Sequence, residues 1–367
     1  MARIGRHSVT VPMMWLGHDL KSRLRVWRQV HDNLSGILIS AHQVLMRDRR
    51  FRQRFVEQGF RSCLGFAGPI FLDSGGFHFQ EQGSASVAVD ELMFAYSELQ
   101  PDLVAVLDLP LHPRASIREN SRRWRQTVAN TERMLEWRGL PPLAIVVHSY
   151  NLGHVERRCR ELRNLVPHPL MVCIGSLVPI LRARCVGKRF GAHGSGEPPT
   201  YQRWRFIARL IQRVRNNFPT ALLHVFGAGT LSTIWLLYLL GVDSVDSVAW
   251  RLKAAYGAIR LPGLADRYAT DLVYTRSRRK VSTECRELLR SCNCSACDGF
   301  ALPRRVEILA ESFEARAVHN AHVFSDELAL FRLALAADHQ LQFVRERLAD
   351  NPLYLGLLEE VLDPHFT

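Results

Sequence analysis

Short apolar runs ending in a polar residue or a glycine recur along the chain, at 9–15, 36–41, 69–73, 103–108, 143–148, 170–175, 222–227 and 244–248. Each has the length of a strand and shows no strict alternation of apolar and polar positions, the pattern of a strand covered on both faces. Between the runs, segments 87–99, 118–138, 154–165, 201–217 and 230–240 carry apolar residues at helical spacing. Eight buried strands alternating with helices predict an α/β fold, a closed (β/α)8 TIM barrel, with an open doubly wound sheet as the competing arrangement. In such a barrel the active site forms at the C-terminal ends of the strands. Those ends hold Asp73, Asp108, His148, Gly175, Gly227 and Asp246. Polar residues end strands anyway because loops are wet, so the argument rests on several of them facing one mouth.

After about residue 262 the pattern changes to a basic run, Thr275-Arg-Ser-Arg-Arg-Lys280, a cysteine cluster, a long helix around 306–322 and further helices. The predicted division is a barrel over 1–265, a C-terminal zinc-binding subdomain over 266–325, and helices over 326–367 packing on the barrel. The Gly- and Pro-rich stretch 185–200 predicts a loop over the rim.

Cysteine placement is the sharpest chemical signal. Four of the eight cysteines fall between Cys285 and Cys297, which reads as metal binding in a reducing compartment and places the protein in the cytoplasm. Cys292-Asn-Cys294-Ser-Ala-Cys297 sets three sulfurs on one turn, and a helix can deliver His319. Three thiolates and an imidazole close a tetrahedral Zn2+ with no open position, so the zinc would be structural; Cys285 and His322 are rival fourth ligands. No apolar stretch is long enough for a membrane span, and the apolar patch near the start is too short for a signal sequence.

Charge points to a polyanion. The net charge is +13, and Lys occurs only at 21, 188, 253 and 280, so nearly all of the 48 basic residues are Arg. Arg grips phosphate bidentately and stacks on bases, although a genome's compositional bias also produces such a ratio. The candidate phosphate contacts are Arg251, Lys253, Arg276, Arg278 and Arg279, with further Arg clusters at 47–54, 122–125 and 157–158. Trp124, Trp204 and Trp250 are candidate base-stacking residues, each of which core packing would equally explain.

Two motifs carry catalytic chemistry. In Asp73-Ser74-Gly75-Gly76-Phe77 a strand ends in a carboxylate and the glycines let backbone approach a ligand closely, although a plain turn would look the same. In Gly241-Val-Asp243-Ser-Val-Asp246, a strand starting at Asp243 aims Asp246 into the mouth. A carboxylate there can attack an anomeric carbon while a second one shuttles protons to and from the leaving and incoming base.

These motifs, with Cys292-x-Cys294-x-x-Cys297 and His319-Asn320, stand in the order found in tRNA-guanine transglycosylases, and the chain resembles that superfamily over roughly residues 8–325. The resemblance implies base exchange through a covalent glycosyl–enzyme intermediate, with Asp246 as nucleophile and Asp73 as general acid/base. It further implies that Asp108 reads the purine's Watson–Crick edge, that Gly175 and Ser176 hold the base carbonyl through their backbone, and that His148 takes a place usually held by Gln. The incoming base would be a 7-deazaguanine. The chain departs from the family at His78, usually Gln, and at Ala249-Trp250-Arg251, where bacterial members have Pro-Thr-Arg; Asp246-Ser247-Val-Ala-Trp250 is closer to the archaeal style. With a short, divergent segment before Asp73 and no added C-terminal tRNA-binding domain in view, these departures lead to the expectation of the DNA-modifying, DpdA-type branch, with tRNA as the alternative polymer. Duplex DNA would require the target guanosine to be flipped out, at about a few kcal/mol. The rival classes are a non-catalytic nucleic-acid- or partner-binding barrel, against which the presence of both Asp73 and Asp246 weighs, and a zinc hydrolase, against which the Cys-dominated ligand set argues; a helper protein and a homodimer are further candidate partners.

Overall fold

Eight parallel strands close into one barrel: β1 (Met13–His18), β2 (Gly36–Ser40), β3 (Ile70–Asp73), β4 (Leu103–Ala105), β5 (Leu143–His148), β6 (Met171–Gly175), β7 (Leu222–Val225) and β8 (Ser244–Ser247). Neighbours in sequence are neighbours in the sheet, and β8 returns to β1 with Ser244 opposite Met13 and Asp246 opposite Trp15. The computed structural model describes residues 1–30, 34–46, 49–82, 85, 87–181, 199–268 and 283–361. The fold is therefore the predicted α/β TIM barrel. Its strands are mostly apolar because barrel side chains on one face and the helix ring on the other leave little strand surface wet, whereas β8, Ser-Val-Asp-Ser, is mostly polar. Every residue of β1 is buried, as is β5 from Ala144 onward.

Three predicted elements differ from those observed. The run at 9–15 straddles two structures: His7–Val9 pairs with Ala2–Ile4 in a hairpin, and β1 begins only after Pro12, which cannot donate to a ladder. The run at 103–108 pairs as a strand only to Ala105, although Val106 still donates to Ala144 O at 3.1 Å. The helix expected at 306–322 is two, Leu302–Glu311 and Phe313–Ala336. The break is at Ser312, which is extended and whose hydroxyl accepts from Ala315 N at 3.1 Å, a cap that starts the second helix.

The C-terminal elements gather a second small core of Ile259, Leu261, Cys285, Leu289, Cys294, Cys297 and Leu309. Helix Phe313–Ala336 joins it to the barrel. Asn320 accepts from Arg260 N at 2.7 Å and donates to the carbonyls of Trp250 (3.0 Å) and Ala258 (3.1 Å), which ties that helix to the segment following β8. Among the described residues no helix is long and apolar enough to cross a membrane. Residues 185–198 of the expected rim loop, and Arg276, Arg278 and Arg279, lie outside the described residues.

Candidate active site and metal centre

The C-terminal ends of the strands surround a cavity of about 400 Å3 whose wall includes Asp73, Asp108 and Asp246 together with Gly75, Gly76, Gly175, Ser176 and Gly227. The size is that of a small-molecule site, and it lies at the rim where a barrel assembles its chemistry.

Asp73 closes β3 and is half-buried, with Oδ2 accepting from Gly75 N at 3.2 Å. Burial, and then the nearby charges of Asp108 and Asp246, push its carboxyl up to about 8, against the pull of the Gly75 and Ser74 amides. At neutral pH it is therefore mostly protonated, as an acid must be. The loop after it needs glycine. Gly75 has φ +104°, and a Cβ there would lie 2.6 Å from His42 Cβ; one on Gly76 would lie 2.9 Å from an Asp108 oxygen.

Asp246, on β8, is 8% exposed. Its Oδ1 accepts from Gly227 N at 2.7 Å, while its Oδ2 receives no hydrogen bond from the described residues. Asp243, at the other end of the strand, pairs with Arg215 and caps Leu223 N, a stabilising arrangement remote from the mouth.

Asp108 meets two side chains. Ser74 Oγ donates to Oδ1 at 2.8 Å, and His148 Nε2 lies 3.0 Å from Oδ2. On the far side of the imidazole, His148 Nδ1 is 2.9 Å from Ser176 Oγ, which also accepts from Leu111 N at 2.8 Å. The Ser176 proton is thus left for His148 Nδ1, so the ring proton sits on Nε2, which lies beside Asp108 without making a hydrogen bond among the described residues. His148 has no exposed surface and does not line the cavity. It stands behind Asp108, whereas the sequence pattern placed it against the substrate. Gly175 makes room for it, since a Cβ there would be 2.4 Å from His148 Cε1. Ser176 sits at φ +65°, a conformation costly for a non-glycine residue.

The Cys292, Cys294, Cys297 and His319 donor atoms all lie within 4.8 Å of one another, so this quartet can hold a metal ion. The three Sγ atoms are 3.4, 3.6 and 3.6 Å from His319 Nδ1. A tetrahedral zinc with Zn–S about 2.3 Å and Zn–N about 2.0–2.1 Å requires roughly 3.6 Å between S and N, so the geometry fits. His319 Nε2 is 2.8 Å from Arg260 O, a contact that puts the proton on Nε2 and turns Nδ1 toward the sulfurs. The rivals are used elsewhere: His322 contacts Asp326 (2.9 Å) and Asn293 (3.0 Å), and Cys285 lies in the small core outside the quartet.

The two expected polyanion contacts that lie among the described residues take part in internal pairs. Arg251 pairs with Asp19 at 3.3 Å and Lys253 with Asp266 at 2.6 Å. Two other arginines are corrections to the surface reading. Arg123 is buried and donates to the Gln80 and Pro110 carbonyls, and buried Arg158 donates to His148 O while stacking over Trp124. Trp124, Trp204 and Trp250 are all core residues.

The sequence reading missed His224, fully buried in β7 and 3.4 Å through Nε2 from Asp246 Oδ1. The available signal was a lone polar residue inside an apolar strand, which must find a partner. It also missed the His42–His78 stack, 4.5 Å between ring centres, beside the Asp73 loop.

Comparison with known proteins agrees with this geometry. The family described as queuine tRNA-ribosyltransferase matches residues 28–352. Similar curated proteins include the tRNA-guanine(15) transglycosylases of Methanothermobacter thermautotrophicus (24% identical, covering 87% of this chain and 44% of that protein) and Pyrococcus abyssi (24%, 90% and 51%). That of Methanosarcina mazei is 25% identical over 89% of this chain and 59% of its own length. The chain spans about half the length of the curated relatives it matches.

Proposed function

The chain belongs to the queuine tRNA-ribosyltransferase family, and on that premise we propose that it is a pentosyltransferase that exchanges a guanine in tRNA for a 7-deazaguanine base through a covalent bond between Asp246 and the sugar. The observation that carries this reading is the division of labour between two carboxylates at one mouth. Burial and like charge hold Asp73 protonated, while Asp246 keeps one oxygen hydrogen-bonded and the other open. Pairs of acids whose environments differ in this way mark an acid and a nucleophile.

In the proposed cycle Asp246 Oδ2 bonds to the anomeric carbon as the carbon–nitrogen bond to guanine breaks. The electron pair goes to the guanine ring nitrogen, which Asp73 protonates. The incoming base then returns a proton to Asp73, attacks the same carbon and releases Asp246. Asp108, oriented by Ser74, accepts from the purine's N1–H and exocyclic amine. The backbone of Gly175 and Ser176 holds the base carbonyl, and Gly75 and Gly76 line the cavity beside it. Cys292, Cys294, Cys297 and His319 would hold a structural zinc, which supplies rigidity beneath the segment after β8 and takes no part in the chemistry. A zinc-dependent thiolate cluster supports a reducing, cytoplasmic setting.

The relatives' printed substrate favours tRNA over the DNA suggested by the departures from the family pattern. One observation keeps DNA as a second reading. At the position of the bacterial Pro-Thr-Arg, Ala249 and Trp250 are buried and Arg251 is paired with Asp19, so these three residues do not form the grip on an anticodon loop that the bacterial pattern supplies. Purified protein incubated with labelled 7-deazaguanine and either unmodified tRNA or duplex DNA tests the choice. Label entering tRNA alone supports the main reading, label entering DNA alone overturns the polymer, and label entering neither contradicts base exchange.

A further inference from the structure

We propose that His224 is a positioning residue for the nucleophile, presenting an N–H to Asp246 Oδ1 and thereby assigning Oδ2 as the atom that attacks. This rests on the reading of Asp246 as nucleophile. The argument is a count of hydrogens along a buried chain. Trp15 Nε1 donates to Ser244 Oγ at 2.8 Å, and an indole N–H is only ever a donor. Ser244 is fully buried, and its other partner among the described residues is His224 Nδ1 at 2.9 Å. The Ser244 hydroxyl proton therefore points at Nδ1, so the ring proton sits on Nε2. That nitrogen is fully buried and makes no hydrogen bond among the described residues, and Asp246 Oδ1 lies 3.4 Å from it. The ring cannot swing away. Phe226 and Phe71 meet it edge to face, at 4.6 and 5.5 Å between centres.

Oδ1 thus accepts from Gly227 N and has the His224 N–H 3.4 Å away, while Oδ2 receives no hydrogen bond from the described residues. The contact is long for a hydrogen bond, as catalytic contacts often are before substrate binds. When Oδ2 bonds to the anomeric carbon, the pair leaves with guanine and Oδ1 becomes an ester carbonyl, a weaker acceptor. When the incoming purine base attacks, the pair returns to the carboxylate and both donors strengthen their hold. The donors therefore favour expulsion of Asp246 and act most on breakdown of the intermediate.

The test is steady-state exchange of labelled guanine into unmodified tRNA, with covalent adduct counted on denaturing gels. His224→Phe should lower kcat about 10- to 100-fold, the worth of a hydrogen bond to a charged group. KM for tRNA should stay within about twofold and adduct per enzyme should rise. His224→Gln, which keeps an N–H at similar reach, should recover about tenfold of the loss. If His224→Phe does not fold, Ser244→Ala carries the test, because it frees the ring to move its proton to Nδ1 and should lower kcat in the same direction. Wild-type kcat in the folded variant, or no recovery with Gln, overturns the proposal. Asp246→Ala separates the two readings: exchange surviving in it removes the nucleophile assignment itself, whereas its inactivity beside a fully active His224→Phe removes only the role given to His224.

Discussion

The backbone N–H of Gly227 donates to Asp246 Oδ1 at 2.7 Å, across the seam between the end of β7 and β8. Gly227 is at φ +69°, and a Cβ there would lie 2.4 Å from Val178 Cγ2, so the turn that aims this N–H requires glycine. The bond fixes one carboxylate oxygen and so decides how the other faces the cavity. Gly227→Ala should accordingly fold less stably and exchange bases more slowly, the rate falling with kcat and not with KM. A variant that loses stability alone would show that the turn does not orient the nucleophile.

The Asp73 carboxyl, raised to about 8, gives the reaction a basic limb. The protonated form is the working acid, so kcat/KM should hold through neutrality and fall as pH rises past about 8. Asp73→Asn should remove that limb and cost about 10²- to 10⁴-fold in rate, the usual worth of general acid catalysis. A pH profile measured on both proteins decides it.

Asp108 should show itself in two ways. Asp108→Asn removes the charge that accepts from the purine edge and should weaken guanine binding by about 1.5–3 kcal/mol, read as the inhibition constant of free guanine. It also removes one of the like charges that raise Asp73, so the basic limb should move to lower pH. An unmoved limb would contradict the electrostatic coupling even if binding weakened.

Zinc is expected to hold the small C-terminal core. Cys294→Ser should reduce bound zinc from one per chain to near zero by elemental analysis and lower Tm. Structural zinc sites carry binding energies of order 10 kcal/mol in small domains. Full metal retention with unchanged Tm would remove Cys294 from the ligand set.

Asn320→Ala leaves Arg260 N and the carbonyls of Trp250 and Ala258 without their partner in a dry region. The expected cost is about 2–4 kcal/mol in denaturant unfolding, with the zinc quartet intact.

The barrel was legible because a strand enclosed on both faces leaves an unbroken apolar run, and the rim residues were legible because those runs end in chemistry. Asp73 and Asp246 were found that way, as was the quartet, through three cysteines in one turn. What was not legible depends on packing between distant strands. His148 reads in sequence as a rim residue, yet its retreat behind Asp108 is set by Ser176 and by the missing side chain of Gly175. His224 shows nothing of its partner in a linear reading, because Ser244 and Asp246 reach it only through the pairing of β7 with β8. Arg123 and Arg158 sit in basic clusters that look solvated, and only the fold shows the carbonyls that draw them inward. Ser312 was missed for a simpler reason: one capping hydroxyl outweighed an otherwise continuous helical pattern.

The most direct test is to look for the covalent bond itself. Wild-type protein and Asp246→Ala, incubated with unmodified tRNA without acceptor base, are denatured and run beside free tRNA, and the protein-linked band is digested for mass spectrometry. The account predicts a ribosyl adduct on Asp246 in the wild type and none in the variant, which should still bind zinc and tRNA. An adduct on another residue, or exchange that proceeds in Asp246→Ala, would contradict it.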